Sequence, residues 1–172
     1  GRYLVDVILD EAEQKGTGKW ASQNSLDLGV PVYSLNAAVM ARFMSALKKE
    51  RVNAGKLVER ENVAVEGRER FIQEVHDALH TAKICAYAQG FALLAAASKE
   101  CNWDLDFGTI AHIWEGGCII RAKFLENVKA AFERNRNLQN LMMDDYFLGV
   151  IKRDEKNWRE VVVFAVKNKI PV

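Results

Sequence analysis

From Arg68 to about Cys101 the chain runs without a proline. Phe71, Val75, Leu79, Ala82, Ala86, Gly90 and Leu93 return at every third or fourth position. That period is the signature of one helical face, and the run is far longer than a strand. It predicts a long helix whose inner face carries those residues. Ala95, Ala96 and Ala97 would let a second helix approach closely, and the stretch from Ala82 to Ala97 reads as deeply buried. The whole chain holds only two prolines, Pro31 and Pro171, so little interrupts other helices.

The same reading extends to both sides. Tyr3 to Glu13 places Leu4, Val7, Ile8 and Ala12 on one face and predicts a helix ended by Gly16 and Gly18. Trp20 to Leu28 predicts a short helix closed by Gly29 and Pro31. Ser34 is a candidate N-cap for a second long helix from Leu35 to about Val58. Val39, Phe43, Ala46 and Leu47 would be its buried stripe, with Lys48, Lys49 and Arg51 at a solvated end. Glu59 to Gly67 is polar and reads as a loop. Beyond the long helix, Asp106 would cap Phe107 to Trp114, and Gly116-Gly117 would turn the chain into a helix from Cys118 to Arg134. Leu138 to Met143, Asp145 to Arg153 and Glu155 to Lys169 complete the helices. Val161 to Phe164 is β-prone taken alone, but its neighbours Trp158, Ala165 and Val166 keep helical spacing. The expected fold is all-α, a multi-helix array with two long helices in one domain spanning residues 1–172.

Basic and acidic residues nearly balance, 24 against 23, for a net charge of +1. Such a chain has no global field to draw it to nucleic acid or an anionic membrane. No apolar run reaches the length of a membrane span, and no basic-then-apolar leader opens the sequence. Cys85, Cys101 and Cys118 are odd in number and widely spaced among apolar neighbours, which predicts buried free thiols, a reducing compartment and hence the cytoplasm.

The stretch with the most chemical content is Lys15-Gly16-Thr17-Gly18-Lys19-Trp20. A glycine-hinged turn with two lysines can aim ammonium groups and free backbone amides at an anion. It is not a nucleotide phosphate loop. Glu13 stands where that loop needs glycine, and Trp20 where it needs the magnesium-binding hydroxyl. On the residues alone, surface lysines at a helix end are the readier account of Lys15 and Lys19. Arg42 lies among Val39, Met40, Phe43 and Met44, surroundings that call for an anionic partner, either a ligand or a structural carboxylate. His76 and His80 share a helical face by their i, i+4 spacing, but no third ligand accompanies them, and a surface or packing role is the reading. His112 reads as a core or interface residue, Arg121 as an ion-pair or interface residue, and Asp144-Asp145 as a helix cap rather than a metal site.

The turn and a series of strings beyond it carry a resemblance. Gln14-Lys15-Gly16-Thr17-Gly18-Lys19-Trp20, Gly29-Val30-Pro31-Val32, Ala41-Arg42, Lys49-Glu50-Arg51, Lys83-Ile84 and Tyr87-Ala88-Gln89-Gly90-Phe91 occur in order. Trp114-Glu115-Gly116-Gly117-Cys118-Ile119-Ile120-Arg121, Leu138-Gln139-Asn140-Leu141, Asp144-Asp145 and Ile170-Pro171 follow. Together they closely resemble the 6-phosphogluconate dehydrogenases, nearly end to end. Glu13, where the family usually has a small residue, and Glu115, where it usually has arginine, depart from the pattern.

The resemblance implies a set of expectations. Family members oxidise the C3 hydroxyl of 6-phosphogluconate with NADP and release carbon dioxide and ribulose 5-phosphate, without a metal, in the pentose phosphate pathway and gluconate utilisation. Lys15 and Arg42 map onto family residues that grip the substrate phosphate. The family is a homodimer built largely by its helical domain. Its coenzyme fold, with the Gly-x-Gly-x-x-Gly turn, has no counterpart here, so no cofactor-binding, catalytic or metal residue is expected in this chain. The general-base lysine and general-acid glutamate would precede Gly1, and the tail that enters the partner's site would follow Val172. The chain is therefore expected to be a fragment of a longer enzyme, inactive alone. The alternative is a stand-alone helical scaffold or binding domain derived from that family. Another β-hydroxyacid dehydrogenase relative fits less well, because those lack the Lys-Gly-Thr-Gly-x-Trp string.

Overall fold

A computed structural model of the chain describes residues 3–13, 15–58 and 63–172. All regular structure among them is helical. The chain divides into two compact units, Gly1–Asn62 and Val63–Val172.

The second unit is built on the long helix read from the sequence. After a 3-10 turn at Leu4–Val7 in the first unit, the α-helices in chain order are α1 (Thr17–Asp27), α2 (Tyr33–Ala46), α3 (Lys48–Gly55), α4 (Arg68–Glu100), α5 (Phe107–Trp114), α6 (Leu125–Arg134) and α7 (Asp145–Lys167). A second 3-10 turn, Leu141–Met143, precedes α7. α4 pairs Phe71 with Phe164, Asp77 with Asn157 and His80 with Asp154 of α7. Rising numbers on one helix meet falling numbers on the other, so the two run antiparallel.

Ile84, Ala88 and Phe91 of α4 share one buried cluster with Leu125, Val128, Ala131 and Phe132 of α6 and with Phe147 and Val150 of α7. Phe91 lies 5.1 Å from Phe132 and 5.2 Å from Trp114 between ring centres, spacings typical of favourable aromatic pairs. The ends of the shorter helices are set by side chains. Asp106 Oδ1 accepts the Thr109 amide at 2.8 Å and caps α5 as expected. Asp144 accepts the Tyr146 amide at 3.1 Å to cap α7, and Arg134 at the end of α6 grips the same carboxylate at 2.8 and 2.9 Å.

Several details differ from the sequence reading. The buried face of α4 is Ala78, Thr81, Ile84, Ala88 and Phe91, and Val75 and Leu79 of the expected stripe are exposed. α7 docks along a polar seam of Asp77, His80, Asn157 and Asp154, which turns the apolar Ile72, Val75 and Leu79 outward. Ala82 and Ala86 are half-buried rather than deep. Helix α6 begins only at Leu125. Cys118 to Phe124 forms turns, because Gly117 at φ 67° breaks the path and the Tyr87 hydroxyl captures the Ile120 carbonyl. The two helices expected after Met143 are one, and Leu138 to Met143 gives only the short 3-10 turn. Cys101 is exposed and Cys85 and Cys118 are half-buried, all three free. His112 is exposed with Nδ1 3.2 Å from Glu115 Oε2, and Arg121 is exposed without an ion pair among the described residues.

The first unit departs further. Leu4 to Val7 is a single 3-10 turn, and Ile8 to Glu13 is not helical. Its carbonyls are taken by side chains of α2 and α3 instead of by amides four residues on. Lys48 binds the Leu9 carbonyl, Arg51 that of Asp10 and Arg42 that of Glu13, while Ser45 Oγ accepts the Ala12 amide at 2.8 Å. The second long helix is broken at Leu47 into α2 and α3. Its N-cap position is Val32 rather than Ser34, and of the expected stripe only Val39 is buried. Phe43, Ala46 and Leu47 are exposed. Of the loop expected at Glu59 to Gly67, residues 59–62 lie outside the described residues, and 63–67 carry no helix.

Two predictions follow from this packing. A Cβ built on Gly18 would sit 2.9 Å from Val39 Cγ2, too close for any real contact. The Gly18→Ala change should destabilise the first unit by about 1–3 kcal/mol. Adding Val39→Ala should recover part of that loss, as read from denaturant unfolding of the four members of the cycle. In the second unit, hydrogen bonds from His76 first, and then Asn157, hold the Asp77 carboxyl below its ordinary value. The folded state therefore takes up this proton later than the unfolded state, whose carboxyl titrates at about 3.9. The stabilisation is complete above that value and drains as pH falls through the lower folded one. Asp77→Ala should cost about 1–2 kcal/mol at neutral pH, and the gap to wild type should narrow in acid unfolding curves as pH falls below the ordinary carboxylate value.

A candidate anion site at the start of α1

The glycine turn does not end a helix. It starts one. Gly16 stands at the N-cap of α1 with φ 115° and ψ −42°, a backbone conformation that L side chains rarely adopt. Trp20 is the first residue whose amide finds an intrahelical carbonyl, that of Gly16 at 2.9 Å. The amides of Thr17, Gly18 and Lys19 precede it and have no helical carbonyl to reach. They point out of the positive end of the helix, beside the exposed Lys15 and Lys19. The Thr17 hydroxyl stands on the first helical residue of the same end.

Helix α2 holds this turn at two places one helical turn apart. Val39 packs against Gly18, where only a glycine leaves room. Arg42 donates from Nε at 3.0 Å, and from Nη2, to the Glu13 carbonyl. Glu13 and Gly18 therefore both lie against α2, at Arg42 and at Val39, and Lys15 stands between them in the sequence. Arg42 is exposed rather than hemmed in by apolar neighbours, and its partner is a backbone carbonyl rather than a carboxylate. A guanidinium has five N–H donors, so two bonds to Glu13 leave donors for an anion. Of the sequence-derived pair, Arg42 in α2 thus contacts the backbone at Glu13, two residues before Lys15. Lys19 sits in the third position of α1.

The residues the sequence reading missed are those that set this backbone. Thr17 was hidden because the helix start was placed at Trp20. Arg51 was read as part of a solvated end, yet its side chain is 28% exposed and makes four hydrogen bonds.

The remaining chemistry-bearing groups do not converge here. His76 and His80 lie in the second unit, with ring centres 6.2 Å apart. His80 faces Asp154 at 3.9 Å, a packing role. No group of three or more metal-capable side chains forms among the described residues. No helix among them is long and apolar enough to cross a membrane.

Comparison with known proteins accounts for both units. The family described as 6-phosphogluconate dehydrogenase, C-terminal domain, matches residues 1–172. The NADP(+)-dependent, decarboxylating 6-phosphogluconate dehydrogenase of Bacillus subtilis is 51% identical across 100% of this chain, which spans 37% of that protein. The decarboxylating enzyme of Lactococcus lactis is 48% identical over 99% of this chain and 36% of its own length. Among solved structures, the Plasmodium falciparum 6-phosphogluconate dehydrogenase superposes with a TM-score of 0.91 at 39% identity, covering 99% of this chain and 37% of that one. That enzyme has been described without ligands, with its cofactor NADP+ and with its substrate 6-phosphogluconate. The chain belongs to the 6-phosphogluconate dehydrogenase family and corresponds to its C-terminal domain.

Proposed function

We propose that residues 1–172 form the helical substrate-phosphate and dimerisation domain of a cytoplasmic, NADP-dependent 6-phosphogluconate dehydrogenase, active as a homodimer. The parent enzyme converts 6-phosphogluconate to ribulose 5-phosphate and carbon dioxide. Oxidation of the hydroxyl β to the carboxylate gives a β-keto acid, which loses carbon dioxide readily because the new carbonyl accepts the electron pair. This chain's part is to hold the far end of the substrate. Lys15, Arg42 and the amides opening α1 bind the phosphate monoester, whose charge suits both a guanidinium and a helix N-terminus.

The observation that carries the reading is the placement of Lys15 between the Arg42 anchor and the start of α1, in a chain that matches the family along its whole length. The glycine turn does not fit a dinucleotide. No strand leads into it among the described residues, and Val39 occupies the space at Gly18. NADP and the proton-transferring groups belong to parts of the enzyme outside this chain, which spans little more than a third of its curated relatives. The dimerisation role is supported by Met40, Phe43, Met44 and Leu47 of the α2 region, apolar and between 45% and 56% exposed. Three free thiols suit the cytoplasm.

Calorimetric titration tests the phosphate site. The chain should bind 6-phosphogluconate in competition with inorganic phosphate and should not bind gluconate. Lys15→Ala and Arg42→Ala should each weaken binding by about tenfold or more, the worth of one charge-assisted contact. Equal affinity for gluconate and its phosphate ester would overturn the site. The chain alone should form no NADPH from 6-phosphogluconate and NADP, and turnover by it would sink the assignment of the catalytic groups to other parts of the enzyme.

A further inference from the structure

The run from Leu9 to Glu13 is not helical, and side chains of α2 and α3 hold it, Arg51 among them. Arg51 stands in α3, nine residues past Arg42 in the chain. Its Nη2 donates to the Asp10 carbonyl at 2.7 Å, and its Nη1 pairs with Asp10 Oδ2 at 3.1 Å. From the same side chain, Nε reaches the Met44 carbonyl at 3.0 Å and Nη2 the Ser45 carbonyl at 3.1 Å. Both carbonyls lie in the last turn of α2, which ends at Leu47, and Met44 shares its oxygen between Arg51 and the Leu47 amide at 3.1 Å. One guanidinium thus closes the end of α2 and pins Asp10, a non-glycine residue at φ 53°. Such a backbone conformation is costly for an aspartate and persists only when its surroundings impose it.

We infer that Arg51 is a positioning residue of the phosphate site, acting through Asp10 and the run to Glu13 to fix where Lys15 and the α1 amides stand. The inference rests on the proposed phosphate role of Lys15 and Arg42. Arg51 is tied to Asp10, five residues before Lys15, rather than to the turn itself, and four bonds already engage its three nitrogens. Ser45 and Lys48 hold the same run at Ala12 and Leu9, so the Arg51 contact is one of a set on a single helical edge. A lysine could not replace it. One ammonium cannot span Asp10 and both α2 carbonyls in the planar fork that a guanidinium provides.

The test uses the 172-residue chain with 6-phosphogluconate as the probe, read by calorimetry and by amide hydrogen exchange. Arg51→Ala and Arg51→Lys should both weaken binding about tenfold and speed exchange at Ala12, whose amide is held by Ser45. Asp10→Asn, which keeps the backbone contact and removes only the charge, should weaken it by less and serves if Arg51→Ala fails to fold. In the double variant Lys15→Ala/Arg51→Ala, the Lys15 loss should shrink, because a displaced lysine has less to lose. Wild-type affinity in Arg51→Ala, with Lys15→Ala still impaired, would overturn the positioning role and leave the phosphate site standing. Additive losses would also overturn it, since they would make Arg51 an independent contact. No binding by the wild-type chain, or none that depends on Lys15, would overturn the phosphate site and the inference together.

Discussion

The first unit depends on a substitution of hydrogen-bond partners. From Leu9 to Glu13 the backbone forgoes helical bonds, and Arg42, Ser45, Lys48 and Arg51 take their place. Arg42, Ser45 and Lys48 meet Glu13, Ala12 and Leu9 in the opposite sense along the chain, and Arg51 returns to Asp10. Backbone polar groups need partners wherever water is restricted, so an irregular segment can be as well defined as a helix if side chains supply them. The glycine turn inherits its position from this arrangement, and α1 starts where the turn allows. Gly18 against Val39 closes the other end by sterics rather than by polarity.

The second unit follows a different logic. Its core is a set of aromatic and aliphatic side chains shared by α4, α5, α6 and α7, and carboxylates cap the starts of α5 and α7. Both carboxylates of the polar seam between α4 and α7 have partners. Asp154 is 2% exposed and lies against Arg153 Nε at 2.6 Å, and Asp77 receives Gln73, His76 and Asn157. Buried carboxylates are tolerable only with such partners, and the need to satisfy them constrains how the two helices align.

The parts of the fold written in local chemistry were legible in the sequence. α4 was found within a residue at each end, α5 by its Asp106 cap and α7 at its start, Asp145, though not as one continuous helix, because periodicity and capping act over a few positions. What distant residues decide was not legible. Tyr3 to Glu13 has a helical pattern, but the donors that pull it out of a helix lie at Arg42 to Arg51. The break at Leu47 and the rotation of the α4 face likewise follow from partners elsewhere in the chain, Asp10 in one case and α7 in the other. The candidate site divides along the same line. Lys15 and Arg42 came from motif resemblance, whereas Thr17 and Arg51 needed the backbone path.

The bond from Arg42 to the Glu13 carbonyl has an entropic side. A free arginine side chain samples many rotamers, and stopping that motion costs about 1.5–2 kcal/mol. In this chain the guanidinium is already held by a carbonyl before any ligand arrives. The cost of ordering it therefore falls on folding rather than on association. An anion that meets it encounters a donor array whose orientation is preset, and more of the contact energy can appear as affinity.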